Sequence, residues 1–252
     1  MAGKTSVRHW WLFGCVMMSV GCASLEGDDF AVYETQEGFN RWSYDTTDAV
    51  DRAVVVPIAR QYAEITPNFV EQGISNFFQN LRTVASSANG FLQGKPGSGA
   101  EDLGRFVVNS TVGIGGLFDP ATSVNLHYQE EDFGQTLAVW GWKKSRYIYL
   151  PMLGPTTLRD LPTRVISGYI PRAMLGSAYH WSMGGVDFVN TRANLLTSTD
   201  VRDASALDGY TFTRDAYFQR RKYLIYDGEL PVDDLFDDFD DEFEDEDFDD
   251  LD

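Results

Sequence analysis

The sequence predicts an all-α fold, one mostly helical domain followed by a disordered acidic tail, on three observations. From Phe39 onward, apolar residues recur with a helical period rather than a period of two. Residues that start and stop helices bracket the apolar stripes. The one β-prone run, Tyr147–Leu150, is short and followed by Pro151 and Pro155, which favours a loop over a paired strand. Hydrophobic residues fill 43% and aromatics 14% of the 252 positions, enough to bury a core, and no internal repeat is present.

The elements follow in order. Phe69, Val70, Ile74, Phe77, Phe78 and Leu81 form an apolar stripe at i, i+4, i+7/8 and i+11, one face of a helix. Thr66-Pro67 before it suits an N-cap followed by proline at the first helical position. Lys95-Pro96-Gly97 breaks the chain, and Ser98-Gly99-Ala100-Glu101 reads as a capping box that opens a helix over Ser98–Ile114. Gly113-Ile114-Gly115-Gly116 ends it. Residues 156–185 hold Pro162, Pro171 and many aromatics, the pattern of short broken helices. A further stripe runs through Val186, Val189, Ala193 and Leu196, and a last helix is expected over Phe212–Tyr226, stopped at Asp227-Gly228.

The N-terminus sets the compartment. Lys4 and Arg8 precede the apolar run Trp10–Val20 and then Gly21-Cys22, the layout of a secretory signal peptide. The run is far short of the ~20 residues a spanning helix needs. Ser19-Val20-Gly21-Cys22 resembles a bacterial lipobox, although Ser19 stands where leucine is usual. Cys15 is the weaker candidate, because its use leaves too little apolar core. Cys22 is therefore the expected lipid anchor, with an ordinary signal peptide as the alternative. Each buried CH₂ of an attached chain contributes ~0.8 kcal/mol to membrane binding. The only two Cys are Cys15 and Cys22, so neither an intramolecular disulfide nor a Cys-based metal site is expected in the mature chain. Ala23, rather than an aspartate, points to outer-membrane sorting. The expected organisation is residues 1–21 as signal peptide, 22–36 as lipidated tether, 37–230 as the helical domain and 231–252 as the acidic tail.

The formal net charge of −18 comes from 38 acids and 20 bases, a balance that disfavours nucleic acid as a partner. It is unevenly spread. Among the 21 residues Val232–Asp252, 14 are Asp or Glu and none is basic, so residues 1–231 carry 24 acids against 20 bases, a net −4. Such a run repels itself and resists folding. Leu235, Phe239 and Phe243 recur every fourth residue within it, which leaves room for a segment that folds on a basic partner or binds divalent cations weakly.

Enzyme signatures are missing. The chain has no G-x-S-x-G, no H-E-x-x-H and no Walker loop, and Gly113-Ile114-Gly115 lacks the third glycine of a dinucleotide site. The mature chain holds only His127 and His180, neither marked by a catalytic motif. Asp160, Asp187, Asp203 and Asp215 stand near Arg159, Arg192, Arg202 and Arg214, as helix-surface ion pairs and caps do. No catalytic residue, metal or cofactor is expected. The abundant Trp, Tyr and Phe suit either a large core or a protein that touches lipid, where Trp and Tyr settle at headgroup depth.

Seven segments in order resemble the MlaA (VacJ) family of outer-membrane lipoproteins. They are Glu37–Arg41, Ile74–Leu81, Phe91–Gly94, Arg105–Asp119, Asp132–Leu137, Leu150–Pro151 with Gly154–Asp160, and Arg214–Arg221. The resemblance implies a helical ring in the inner leaflet of the outer membrane, on its periplasmic side, with an amphipathic channel. It implies phospholipid as cargo, a trimeric porin as partner and a soluble periplasmic carrier as recipient, so that stray outer-leaflet lipid is removed and asymmetry kept. With no ATP in the periplasm, such a channel only lets lipid move down a gradient.

In that setting, Arg105, Phe106, Asn109, Ser110, Val112, Gly113, Gly115 and Gly116 are the candidates for lining the channel: polar footing for a headgroup, apolar wall for chains, and glycines for a turned backbone. The alternative is ordinary core with a glycine C-cap. Asp45 and Thr46 fall where the family has an Asn/Phe-rich gating stretch, without those residues. Gly141-Trp142-Lys143-Lys144-Ser145-Arg146 replaces a Gly-rich turn and brings three bases that suit anionic headgroups or a solvated loop. Competing functions are a lipoprotein assembly module that recruits a partner through its acidic tail and, with least support, a lipid hydrolase.

Overall fold

The structure is a computed structural model and describes residues 32–33, 36–176 and 182–229. Cys22, His180 and the acidic tail 231–252 lie outside the described residues. Glu37–Val50 forms α1, which passes through a π-helical turn at Asp51–Val55 into α2 (Val56–Ile65). The wide turn lies just ahead of Pro57, whose ring a regular continuing helix would not accommodate. Next come α3 (Asn68–Leu92) and α4 (Pro96–Thr111), then the short α5 (Pro120–Ser123) and α6 (Phe133–Val139). Strands β2 (Ser145–Leu150) and β3 (Gly154–Thr157) are followed by α7 (Leu161–Leu175), α8 (Met183–Asn194), α9 (Leu196–Ser205) and α10 (Gly209–Ile225).

The fold is mostly helical, as expected, with three local corrections. The capping box is absent: α4 starts at Pro96, which needs no N–H in the first turn, and Glu101 instead accepts the backbone N–H of His127. Tyr147–Leu150 is a strand rather than a loop. It pairs antiparallel with β3, Tyr147 opposite Thr157 and Leu150 opposite Gly154, and its start pairs in parallel with β1 (Val32–Tyr33). Pro151 lies in the turn, Met152 (φ 63°) and Gly154 (φ 82°) reverse the chain, and Pro155 sits on an edge strand, where proline is tolerated. Finally, α7 is one helix of 15 residues that accepts both Pro162 and Pro171.

Helices α3 and α4 form the most intimate pair. Gly90 and Gly99 face each other so closely that a methyl on Gly90 would sit 2.9 Å from the Gly99 nitrogen, and the Ser87 hydroxyl donates to the Gly99 carbonyl at 2.7 Å. The burial pattern is inverted. Among the described residues, 20 polar or charged side chains are buried against ten apolar ones, and eight of those ten are Tyr or Ala. Helix α4 buries Asp102, Arg105 and Asn109 and turns Leu103 and Val107 outward, and Ile114 in the turn that follows is exposed as well. Phe69 is 77% and Val112 69% exposed. A water-soluble domain sorts its side chains the other way, and large exposed apolar areas mark contact surfaces. No helix among the described residues is long and apolar enough to cross a membrane.

Candidate functional site

Helix α10 presents Phe212, Ala216, Arg220 and Leu224 on one side, a single stripe at i, i+4, i+8 and i+12. Opposite it, α9 offers Ser198, Thr199 and Arg202, with Leu195 at its start. Together with Glu130, Pro155, Tyr217 and Arg221 these enclose a cavity of about 530 Å³. It combines apolar wall with several cations, the two surfaces that a chain-bearing anion needs.

The cations are held firmly. Arg221 is buried and donates through Nη2 to Asp160 at 2.9 Å and to Asp132 at 3.2 Å. Burial pushes its guanidinium down, but the Asp132 and Asp160 charges outweigh this and hold it above its ordinary value. Burial pushes the Asp160 carboxyl up, and Arg221 and Arg159 overcome this, so it titrates below the usual range. Tyr217 donates to Asp160 at 2.7 Å, and its hydroxyl is raised by burial and by that carboxylate. Arg220 pairs with Glu130 at the rim. Arg202 donates to Asp48 at 3.0 Å and to Asp203 at 2.8 Å and lies over the Tyr44 ring. It also borders a second, polar cavity of about 440 Å³ lined by Asp45, Arg52, Asp208 and Tyr210.

Two apolar cavities lie elsewhere. One of about 370 Å³ is lined by Ile74, Phe77, Ile114, Gly115 and Leu117. Another of about 730 Å³ has Pro57, Ile58, Ile65 and Val189 in its walls, and both share Ser182 and Val186. The two adjoin at these residues.

The candidates from sequence separate. Gly115 borders the smaller apolar cavity. Arg105 and Asn109 are buried, bonded to Asp119, and Ser110 accepts from Asn80 at 2.9 Å. Phe106 is half-buried and Val112 points outward. Gly113 and Gly116 lie where a methyl would collide with Asn109 and with Asn80. Asp45 borders the polar cavity, and the Thr46 hydroxyl caps the Trp42 carbonyl at 2.8 Å. Arg159 and Asp160, expected as a surface pair, are buried instead, and Arg221 of α10 donates to Asp160 there. The amphipathic cavity on α9 and α10 has no counterpart among the candidates, although the stripe through Phe212, Ala216, Arg220 and Leu224 is visible in the sequence.

Residues 32–224 match the MlaA lipoprotein family. The chain is 35% identical over 219 residues to the intermembrane phospholipid transport system lipoprotein MlaA of Escherichia coli (strain K12), covering 84% of this chain and 86% of that protein. It is 30% identical over 224 residues to the lipoprotein of the same name from Haemophilus influenzae, covering 83% and 87%. A solved chain described as the "Structural basis for maintenance of bacterial outer membrane lipid asymmetry" superposes with a TM-score of 0.66 at 32% identity, covering 77% of this chain and 99% of that one. With this match across nearly the whole described body, the chain belongs to the MlaA lipoprotein family.

Proposed function

We propose that the protein is a non-enzymatic phospholipid channel of the outer membrane, anchored through Cys22 on the periplasmic side. It draws mislocalised phospholipid from the outer leaflet and passes it to a soluble periplasmic carrier, seated in the inner leaflet beside a trimeric porin. The observation that carries this reading is the cavity between α9 and α10, where Arg202 and Arg220 share walls with Leu195, Phe212, Ala216 and Leu224. The cations suit a phosphate group and the apolar wall suits acyl chains. The inverted burial supports a seat in lipid, since the apolar faces of α4 and α3 then meet hydrocarbon rather than water. The names of the relatives point the same way.

The test is a lipid extract of the detergent-purified full-length protein, analysed by mass spectrometry, beside an assay of surface phospholipid in a deletion strain. Bound phospholipid and a lipid-enriched surface are expected. Lipid-free protein together with a normal surface would overturn the reading.

A further inference from the structure

The turn after α6 is a rigid mount for two exposed indoles. Trp140 is 58% and Trp142 42% exposed. Backbone bonds from Gly141 to the Ala138 carbonyl (3.0 Å) and from Trp142 to the Leu137 carbonyl (2.9 Å) close the turn, and Gly141 takes φ 109°. The buried Arg159 guanidinium donates to the carbonyls of Trp142 (3.2 Å) and Lys143 (3.1 Å), tying the turn to the Asp160–Arg221 network. Phe133 packs edge-on to Trp140 at 6.4 Å.

The two rings differ chemically. The Trp140 indole N–H already donates to the Leu92 carbonyl at 3.1 Å, so that ring is free to enter an apolar layer, beside exposed Phe91, Leu92 and Val139. The Trp142 indole N–H has no partner among the described residues, and its ring stands next to Lys143, with Lys144 and Arg146 following. An indole with an open donor is stable where apolar chains give way to phosphate and ester oxygens.

From this arrangement we infer that Trp140–Arg146 is a depth-setting anchor. Trp140, Phe91, Leu92 and Val139 enter the upper acyl region of the leaflet, and Trp142 donates to phospholipid phosphate or ester oxygens at headgroup level. The inference rests on the membrane seat proposed above but not on lipid passing through the cavity. The partner is the lipid surface itself, recognised by oxygen acceptors above a hydrocarbon layer.

Full-length lipidated protein carrying Trp42→Phe and Trp181→Phe is reconstituted into vesicles of phosphatidylethanolamine and phosphatidylglycerol. Trp140 and Trp142 then report from the mature chain. Moving from water-soluble detergent dilution into vesicles is expected to blue-shift their emission, with lipids brominated near the carbonyl quenching more strongly than lipids brominated near the chain end. Adding Trp142→Phe is expected to leave a more blue-shifted signal from Trp140 alone. Water-like emission open to iodide in vesicles overturns the anchor, as does stronger quenching by chain-end bromine. The mass-spectrometric readout separates the two proposals: failed quenching with phospholipid still co-purifying sinks the anchor alone, whereas correct quenching in lipid-free protein sinks the channel alone.

Discussion

The Arg105 guanidinium grips the Asp119 carboxylate through both oxygens, at 3.0 and 2.9 Å, across the turn between α4 and α5. It also donates to the Thr122 hydroxyl at 3.1 Å and to the Leu126 carbonyl. Asn109 adds a bond to Asp119 at 2.9 Å and accepts the Ala121 N–H at 3.0 Å. Arg105→Ala strands a partly buried carboxylate, and a loss of about 3 kcal/mol is expected. Asp119→Asn should cost less, since an amide oxygen still accepts from Arg105. Burial pushes the Asp119 carboxyl up, but the bonds from Thr122 and Asn109 and the Arg105 pair bring it below its ordinary value. Its contribution is thus complete above the unfolded carboxylate value, about 4, and fades as pH falls further. Unfolding of both variants in detergent across pH measures this. Equal midpoints for Arg105→Ala and wild type would show that the turn is held by something else.

Gly116 is fixed twice. Its φ of 94° disfavours any side chain, and a methyl there would lie 2.7 Å from the Asn80 amide nitrogen. Gly116→Ala is expected to lose about 1–3 kcal/mol. The Asn80 Cβ would lie 2.8 Å from the same methyl, so only Asn80→Gly removes the whole contact, and in that background Gly116→Ala should keep the strain and lose the collision part of its cost. A cost for Gly116→Ala as large beside Asn80→Gly as in wild type would place the whole of it in the backbone.

Asp102 works in the opposite direction from Asp119. It is fully buried; one oxygen accepts the Gln129 N–H at 3.1 Å and the other has no partner among the described residues. Burial pushes its carboxyl up to about 6, which the bond from the Gln129 N–H offsets only in part. The folded state therefore holds its proton more tightly than the unfolded one, and this group lends stability as pH falls from above 6 toward about 4. Near neutral pH it carries a penalty. Asp102→Asn, neutral throughout, should be more stable than wild type at pH 7 by about 2 kcal/mol, with the gap closing toward pH 4. A gap that stays constant with pH would assign the effect to packing.

The parts that were legible in the sequence are the local ones. The stripe from Phe69 to Leu81 marks the first half of α3, and Asp227-Gly228 marks the end of α10, because period and backbone chirality are written in neighbouring residues. Strand β2 was not legible, because its pairing depends on partners at Gly154–Thr157 and Val32–Tyr33 that prolines and a tether-like composition conceal. The buried state of Arg159 and Asp160 was hidden for the same reason: adjacent opposite charges look like a surface pair, and the partner that Asp160 gains on folding, Arg221, lies 61 residues on. In sequence the segment of α4 reads as channel lining, with ordinary core as the alternative, and only the fold shows that Leu103 and Val107 face outward while Arg105 and Asn109 fill the interior.

Ala216 is the point at which the cavity can be closed without disturbing its charges. It lies on α10 one turn from Phe212 and one from Arg220, its side chain is exposed to the cavity, and no hydrogen bond or ion pair depends on it. Ala216→Trp fills space that an acyl chain would otherwise occupy, while Arg202, Arg220 and Arg221 keep their partners. Unfolding in detergent should stay within about 0.5 kcal/mol of wild type, as for a surface substitution. The phospholipid that co-purifies should fall sharply, and cells carrying only this variant should accumulate surface phospholipid as the deletion does. A Trp variant that retains wild-type lipid load and wild-type surface would mean that lipid takes another path, and the adjoining apolar cavities at Ser182 and Val186 would be the next to block.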